Sequence, residues 1–414
     1  MMKKALRIIL WSLVGVIIVA YVFLFIAYNG YKPGKVEQEI SGEALAYFSD
    51  TYEDARANFL TEVKKLNSQY ENMEISKIRV PSKSGLELYV DYAYIPAQDT
   101  NINLLILTSG IHGVEGYTGS AIQQMVMKEV LQPELLRSTG LLMVHGLNPY
   151  GFKIIRRVSE NNVDLNRNCA IDLALYDAVN EGYGDLYDML NPQKEADHAT
   201  NRNRNFHLIA VSKIIAESMP VLRQAVLQGQ YEYPEGLYFG GEDLEPQFKS
   251  LKPVFGEIMG QYSKVTSIDL HTGYGENGKM HLFPNPIDDQ DVKQGLEDLF
   301  EGYEIDWGDG DDFYTIHGSF VDWIGSLLEV DLYLPMVFEY GTLDSQETFG
   351  SIKSLQRTLL ENQGRQFGFK NDKAEKKIMS DFREMYYPSS EEWRTKVILD
   401  SKKVMTQVFL KLND

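Results

Sequence analysis

The segment Leu104-Leu105-Ile106-Leu107-Thr108-Ser109-Gly110-Ile111-His112-Gly113-Val114-Glu115-Gly116 opens on four aliphatic residues and closes on glycines interleaved with a histidine and a glutamate. A short apolar run bounded by turn residues predicts a buried strand. The glycines let the backbone turn sharply where that strand ends. His112 and Glu115 then face one point beyond its carboxyl end, where α/β proteins bind their ligands. A neutral imidazole and a carboxylate are suitable zinc ligands, at about 2.0–2.2 Å.

Outward from this segment, further apolar runs (Leu141–Val144, Val265–Leu270, Met336–Phe338) alternate with helical patterns (Thr118–Leu131, His207–Leu227, Ser351–Phe367, Glu391–Leu412). Ahead of it, Glu43–Leu66 has amphipathic spacing, and Ile75–Val80 and Leu86–Tyr94 read as strands. The alternation predicts the α/β class: a three-layer α/β/α sandwich around a mixed, mostly parallel sheet. The expected organisation is a cytoplasmic tip and membrane helix over 1–31, a linker over 32–42 and a catalytic domain over 43–414. A helical insertion is expected at about 170–260.

The chain has 414 residues and a formal charge of −19, from 40 Lys and Arg against 59 Asp and Glu. Such a surface repels phosphate backbones, so nucleic acid is not an expected partner. With one cysteine, Cys169, there is no intrachain disulfide and no cysteine zinc finger; any metal must use histidines and carboxylates. Cys169 itself reads as a small buried residue.

From Ile8 to Tyr31 no residue is charged. At 1.5 Å per residue, about 20 helical residues cross the ~30 Å hydrocarbon core. Lys3, Lys4 and Arg7 precede the run and would hold the amino end in the cytoplasm, with the rest of the chain outside. The rival is a cleaved signal peptide, but the run is long for one and bulky Phe25 stands two positions before Ala27.

A third metal ligand must come from seven histidines. His271 ends the apolar run Ser267-Ile268-Asp269-Leu270 beside Thr272 and Gly273, and Asp269 two residues earlier is placed to orient it. Between the two histidines, Asn161-Asn162-Val163-Asp164-Leu165-Asn166-Arg167-Asn168 is rich in amides around an arginine, which suits a carboxylate. Glu339, in Val337-Phe338-Glu339-Tyr340-Gly341-Thr342, puts a carboxyl at a strand end, costly unless paired, hydrated or metal-associated. Its catalytic use would be as general base toward a zinc-activated water.

The order H-x-x-E (His112, Glu115), Asn148-Pro149-Tyr150-Gly151-Phe152, an arginine, Asn166-Arg167-Asn168, a strand-terminal His271 and Phe338-Glu339 resembles the zinc carboxypeptidase superfamily typified by carboxypeptidase A. The opening helix, with Tyr47-Phe48-Ser49-Asp50-Thr51-Tyr52, is similar to an uncharacterised carboxypeptidase-like branch of it. The resemblance implies one zinc ion on His112, Glu115 and His271, with Glu339 as base. It implies Arg157, ahead of Arg156, as the group that polarises the scissile carbonyl. Asn166 and Arg167 would grip the terminal carboxylate of a peptide, Tyr314 would cap it, and Val321 would set side-chain preference. Asp164-Leu165-Asn166-Arg167 and Asp269-Leu270-His271-Thr272 also resemble aspartoacylase and succinylglutamate desuccinylase, which implies N-acyl amino acids as the alternative substrate. A non-catalytic, membrane-tethered binding module is the reading from another class. Of the other histidines, His281 reads as packed core, His145 as a loop-orienting residue and His317 as a loop or pocket residue. His198 and His207 have no partner pattern.

Overall fold

The apolar runs become strands of one sheet. The computed structural model describes residues 2–308 and 315–413. Among them seven strands pair: β1 (Glu74–Val80), β2 (Leu88–Ile95), β3 (Asn103–Ser109), β4 (Thr139–His145), β5 (Lys264–Gly273), β6 (Met280–Phe283) and β7 (Leu332–Gly341). Their order across the sheet is β1-β2-β4-β3-β5-β7-β6. The central four, β4-β3-β5-β7, are parallel, and β1, β2 and β6 pair antiparallel at the edges. The mixed α/β architecture is the expected one.

β3 and β4 are buried along almost their whole length, as strands covered on both faces must be. Leu105 and Leu107 point into a core shared with Ala121, Ile122 and Trp393. Leu104 and Ile106 point the other way, toward Phe248, Phe255 and Trp323. Helices Tyr52–Leu66, Gly116–Met125 and Glu391–Asn413 therefore form one outer layer, and Pro246–Met259 with Phe320–Ser326 form the other.

The helical patterns hold with identifiable interruptions. Glu43–Leu66 is two helices, Gly42–Leu45 and Tyr52–Leu66, because Thr51 caps the second by accepting the Asp54 N–H at 3.1 Å. His207–Leu227 breaks at Ser218 (φ 75°) into Phe206–Glu217 and Met219–Leu227. Pro220 lacks the N–H that a continuous helix would need there and is tolerated only in a first turn. Strand β6 carries His281 opposite Glu339, where the sequence suggested only a packed core histidine.

Helices Glu181–Leu190, Phe206–Glu217 and Met219–Leu227 of the insertion build a third core on the helix Thr348–Phe367, joining Tyr183, Leu186, Phe206 and Val226 to Ile352 and Leu359. The first helix, Met2–Gly30, contains one segment long and apolar enough to cross a membrane, Ile9–Gly30, with mean hydropathy 2.8. Its last turn belongs to the third core: Tyr28 stacks on His207 with ring centroids 4.7 Å apart and donates to Gln356 Oε1 at 2.7 Å. The next residues, expected as a linker, are pinned where Tyr31 donates to the Leu343 carbonyl (3.1 Å) and the Gly34 N–H to Asp344 (2.6 Å).

Trp393 is fully buried and ties the last helix to the sheet, its Nε1–H donating to the Gly341 carbonyl at 2.8 Å. Trp393→Ala removes both the packing and that bond, and is expected to destabilise the fold by about 3–5 kcal/mol. Urea unfolding of the two proteins measures it; a loss under about 1 kcal/mol would show that the site collapses around the gap.

Candidate metal centre and active site

The turn after β3 is built by close backbone contacts. Gly110 has φ +74°, and a side chain there would meet the Gly146 Cα at 3.2 Å. Gly113 lies so close to the next helix that a Cβ would fall 2.1 Å from the Gly151 carbonyl carbon. Asn148, first residue of Asn-Pro-Tyr-Gly-Phe, caps that helix by accepting the Gly151 N–H at 2.9 Å and donates from Nδ2 to the Arg157 carbonyl at 3.0 Å. The Gly113 and Val114 N–H groups donate to the Arg157 and Arg156 carbonyls (3.1 and 2.9 Å). One turn, one cap and one short backbone pairing thus set Arg157 beside His112 and Glu115.

His112, Glu115 and His271 converge, with ligand atoms all within 4.8 Å of one another, an arrangement suited to a metal ion. His112 Nδ1 lies 3.0 Å from one Glu115 oxygen and His271 Nδ1 3.2 Å from the other; the two Nδ1 atoms are 3.2 Å apart. Each ring's far side faces an aspartate. His112 Nε2 is 3.2 Å from Asp164 Oδ1, and His271 Nε2 is 2.7 Å from Asp269 Oδ2. Asp269 is itself held by Thr108 Oγ1 (2.6 Å), its register neighbour on β3, and Asp164 by Arg157 Nε (2.9 Å).

A carboxylate only accepts hydrogen bonds, so each imidazole carries its proton on Nε2. Both Nδ1 lone pairs then point, with the Glu115 carboxylate, at one place. Three acceptors aimed together fit a cation, or in its absence a proton.

Glu339 sits beside His271 in register on β7, and its Oε1 accepts the Tyr274 N–H at 2.9 Å. It is reached from the cavity yet lies deep in the protein. Burial, then the nearby Glu115 carboxylate, raises its pKa to about 8. Burial alone would lower the pKa of His271, but the Asp269 and Glu115 carboxylates raise it well above the ordinary value. Burial likewise opposes the charge of Asp164, and Arg157 with His112 overcomes it, holding this carboxyl well below its usual range.

His112, Glu115, Arg157, Asn166, Arg167, His271 and Glu339 line one cavity. Arg156 does not: it pairs with Glu361 (3.0 Å) and donates to Asn162 and Asn362. Asn166 Oδ1 accepts the Phe320 N–H at 3.0 Å. Arg167 donates to the Leu227 carbonyl from Nε and Nη2 (2.8 and 2.6 Å) and to the Asn166 carbonyl from Nη1, and has no ion-pair partner among the described residues. Val321 is buried in the helix Phe320–Ser326, outside the cavity lining, and Tyr314 lies outside the described residues. His145 does not orient a loop. It stacks on Phe59 (4.5 Å) in the interior and bonds Ser120 Oγ through Nε2 at 3.0 Å; burial lowers its pKa to about 3.

Three contributors escaped sequence reasoning. Asp164 had a signal, standing two residues before Asn166 in the polar segment. Tyr238, whose ring lies under both Arg157 (5.5 Å) and Arg167 (5.8 Å), and Tyr386 beside Arg157 had none, because tertiary packing alone brings them in.

Two outcomes follow for metal binding. His112→Ala or His271→Ala should each lose the ion, read as metal per chain by elemental analysis; full occupancy in both would refute the ligand set. The carboxylates around His271 and the burial of Glu339 favour a proton on each in the metal-free protein, so binding Zn²⁺ should release protons. Calorimetry in buffers of different ionisation enthalpy counts them, and a heat independent of buffer would contradict the arrangement.

Among solved structures the chain is similar to bovine thrombin-activatable fibrinolysis inhibitor in complex with tick carboxypeptidase inhibitor (14% identity, 77% of this chain and 99% of that one, TM-score 0.40). It is similar to carboxypeptidase A from Helicoverpa armigera (12% identity, 77% and 73%, TM-score 0.37). It is also similar to an aspartoacylase family protein from Mesorhizobium loti (14% identity, 70% and 67%, TM-score 0.34). No curated protein matches it. The profile of the family described as a protein of unknown function, DUF2817, covers residues 48–400, and the chain belongs to that family.

Proposed function

We propose that the protein is a membrane-anchored, zinc-dependent hydrolase of carboxypeptidase type, cleaving an amide bond next to a free carboxylate. The observation that carries this reading is the convergence of two Nδ1 lone pairs and Glu115, with Glu339 one strand away and Arg167 in the same cavity without an acidic partner among the described residues. His112, Glu115 and His271 would hold the ion, a donor set that suits zinc and leaves a coordination position open. When bound, zinc supplies Lewis acidity and lowers the pKa of a water toward about 7.

The chain's own groups do the rest. Arg167, its guanidinium steadied by backbone carbonyls, holds the substrate carboxylate together with Asn166 and so fixes which bond lies at the centre. Glu339 accepts the proton of the attacking water and returns it to the leaving nitrogen, its Oε1 steadied by the Tyr274 N–H. Arg157, oriented by Asp164, stabilises negative charge on the carbonyl oxygen. Ile9–Gly30 would anchor the chain with this domain outside the cytoplasm. The same groups would serve an N-acyl amino acid amidohydrolase, and the apolar remainder of the cavity favours a substrate with an apolar acyl part.

The test is hydrolysis by the zinc-loaded full chain of peptides and N-acyl amino acids with free or amidated carboxyl ends. Only those with free ends should be cleaved; equal cleavage of both would overturn the reading. Glu339→Gln should keep zinc and lose roughly 10²–10⁴-fold in kcat. Glu339 works ionised, so activity falls as pH drops through its pKa. Burial and the Glu115 carboxylate raise this pKa to about 8, and a bound dication favours the ionised form, so the acid limb of kcat/KM should lie below pH 8.

A further inference from the structure

The cavity that holds the polar centre is larger than the chemistry requires. It continues into the insertion, lined there by Leu186, Met189, Ile214, Leu222 and Val226, and by Leu355 across from them. Lys213, Arg223, Ser351 and Ser354 also reach it, but apolar side chains supply most of this part of the lining. A polar peptide would leave its backbone groups unsatisfied against such walls. A saturated hydrocarbon would not.

The surroundings point the same way. The two helices that supply most of this lining, Phe206–Glu217 and Met219–Leu227, meet at Ser218. On either side of the break Ile215 and Val221 are 80% and 54% exposed. The hairpin stands against the apolar first helix: Tyr21 donates to Asn205 Oδ1 at 3.0 Å, and the Phe25 ring lies 6.0 Å from that of His207. Exposed aliphatic side chains beside a helix able to cross a membrane fit a lipid surface.

We infer that this apolar arm holds a long alkyl chain, and that the substrate is a membrane-borne amide with a fatty acyl group on one side and a free carboxylate on the other. The inference rests on the hydrolase reading above and names its substrate class. Arg167 and Asn166 take the carboxylate, the centre takes the amide carbonyl, and the chain lies among Ile214, Leu222 and Val226. Hydrolysis breaks the C–N bond, water giving its hydroxyl to the acyl carbon and its remaining hydrogen to nitrogen. The products are a fatty acid and an amino acid or peptide with a free amine.

The experiment uses the zinc-loaded full chain in lipid nanodiscs with N-acetyl-, N-octanoyl- and N-lauroyl-leucine, each below its micelle-forming concentration. Each methylene that enters the arm should raise kcat/KM roughly 3- to 4-fold until the arm is full. Ala210→Trp, which fills the arm, and independently Leu222→Asp, which places a charge in it, should lower the lauroyl-to-acetyl ratio at least tenfold. Binding of N-lauroyl-leucine to Glu339→Gln, followed by calorimetry, reads recognition apart from turnover. Hydrolysis independent of chain length, or a ratio unmoved in both variants, overturns the inference and leaves the hydrolase standing. Chain-length-dependent binding that Ala210→Trp abolishes, without hydrolysis of any substrate, overturns the hydrolase and leaves the alkyl site.

Discussion

Asp164 and Asp269 each accept a hydrogen bond from the outer N–H of one imidazole and thereby turn two lone pairs inward, and the rest of the centre answers to that constraint. Glu115, Asp164, Asp269 and Glu339 bring four carboxyls to the centre, and Arg157 and Arg167 bring two guanidiniums, while Lys213 and Arg223 reach the cavity from the insertion. With every carboxyl ionised, two negative charges are left over among these six groups of the centre, in a place where unpaired charge costs several kcal/mol per group. A divalent ion cancels them. Two protons do so in its absence, and the groups whose proton affinity is raised, His271 and Glu339, sit side by side on β5 and β7.

The sheet explains why the centre forms where it does. From β3 the chain moves toward one edge, to β4; from β5 it moves toward the other, to β6 at the edge and then back to β7 beside β5. The two connections part at the carboxyl ends of β3 and β5, leaving a crevice there, the place where open α/β sheets bind ligands. His112 follows β3 and His271 lies near the end of β5, so both imidazoles flank that crevice. β7, the next strand across the sheet, adds Glu339 at the level of His271. Parallel register thus sets the His271 imidazole and the Glu339 carboxyl next to each other without help from any loop.

What was legible in the sequence was what lies on strands or depends on neighbours in the chain. His271 and Glu339 end apolar runs, His112 and Glu115 stand in the glycine turn that follows one, and period and punctuation mark them. Asn148 and Gly151 were readable as a motif, although their purpose, gripping the backbone behind Arg157, appears only in three dimensions. Arg157 could be set ahead of Arg156 by resemblance, and the physical reason is that Glu361, from a distant helix, holds Arg156 away. Tyr238, Tyr386 and the apolar walls were not readable, since their positions depend on how the insertion packs on the helix Thr348–Phe367. The break at Ser218 was hidden because the aliphatic spacing runs straight across it.

The insertion also changes what the first helix does. A membrane anchor on a free linker would leave the cleft at any angle to the bilayer. Here Tyr28 is buried against His207 and Phe349, Tyr31 reaches the backbone beyond β7, and Gly34 is held by Asp344. Tyr28 shares one core with the helices that wall the apolar arm, so the first helix and the cavity form a continuous packed unit. Packing of that kind resists rotation, because a turn of the helix would uncover Tyr28 and strip its hydrogen bond to Gln356 in one movement. The orientation of the first helix relative to the cleft is therefore a property of the core, set by the same side chains that bury the insertion.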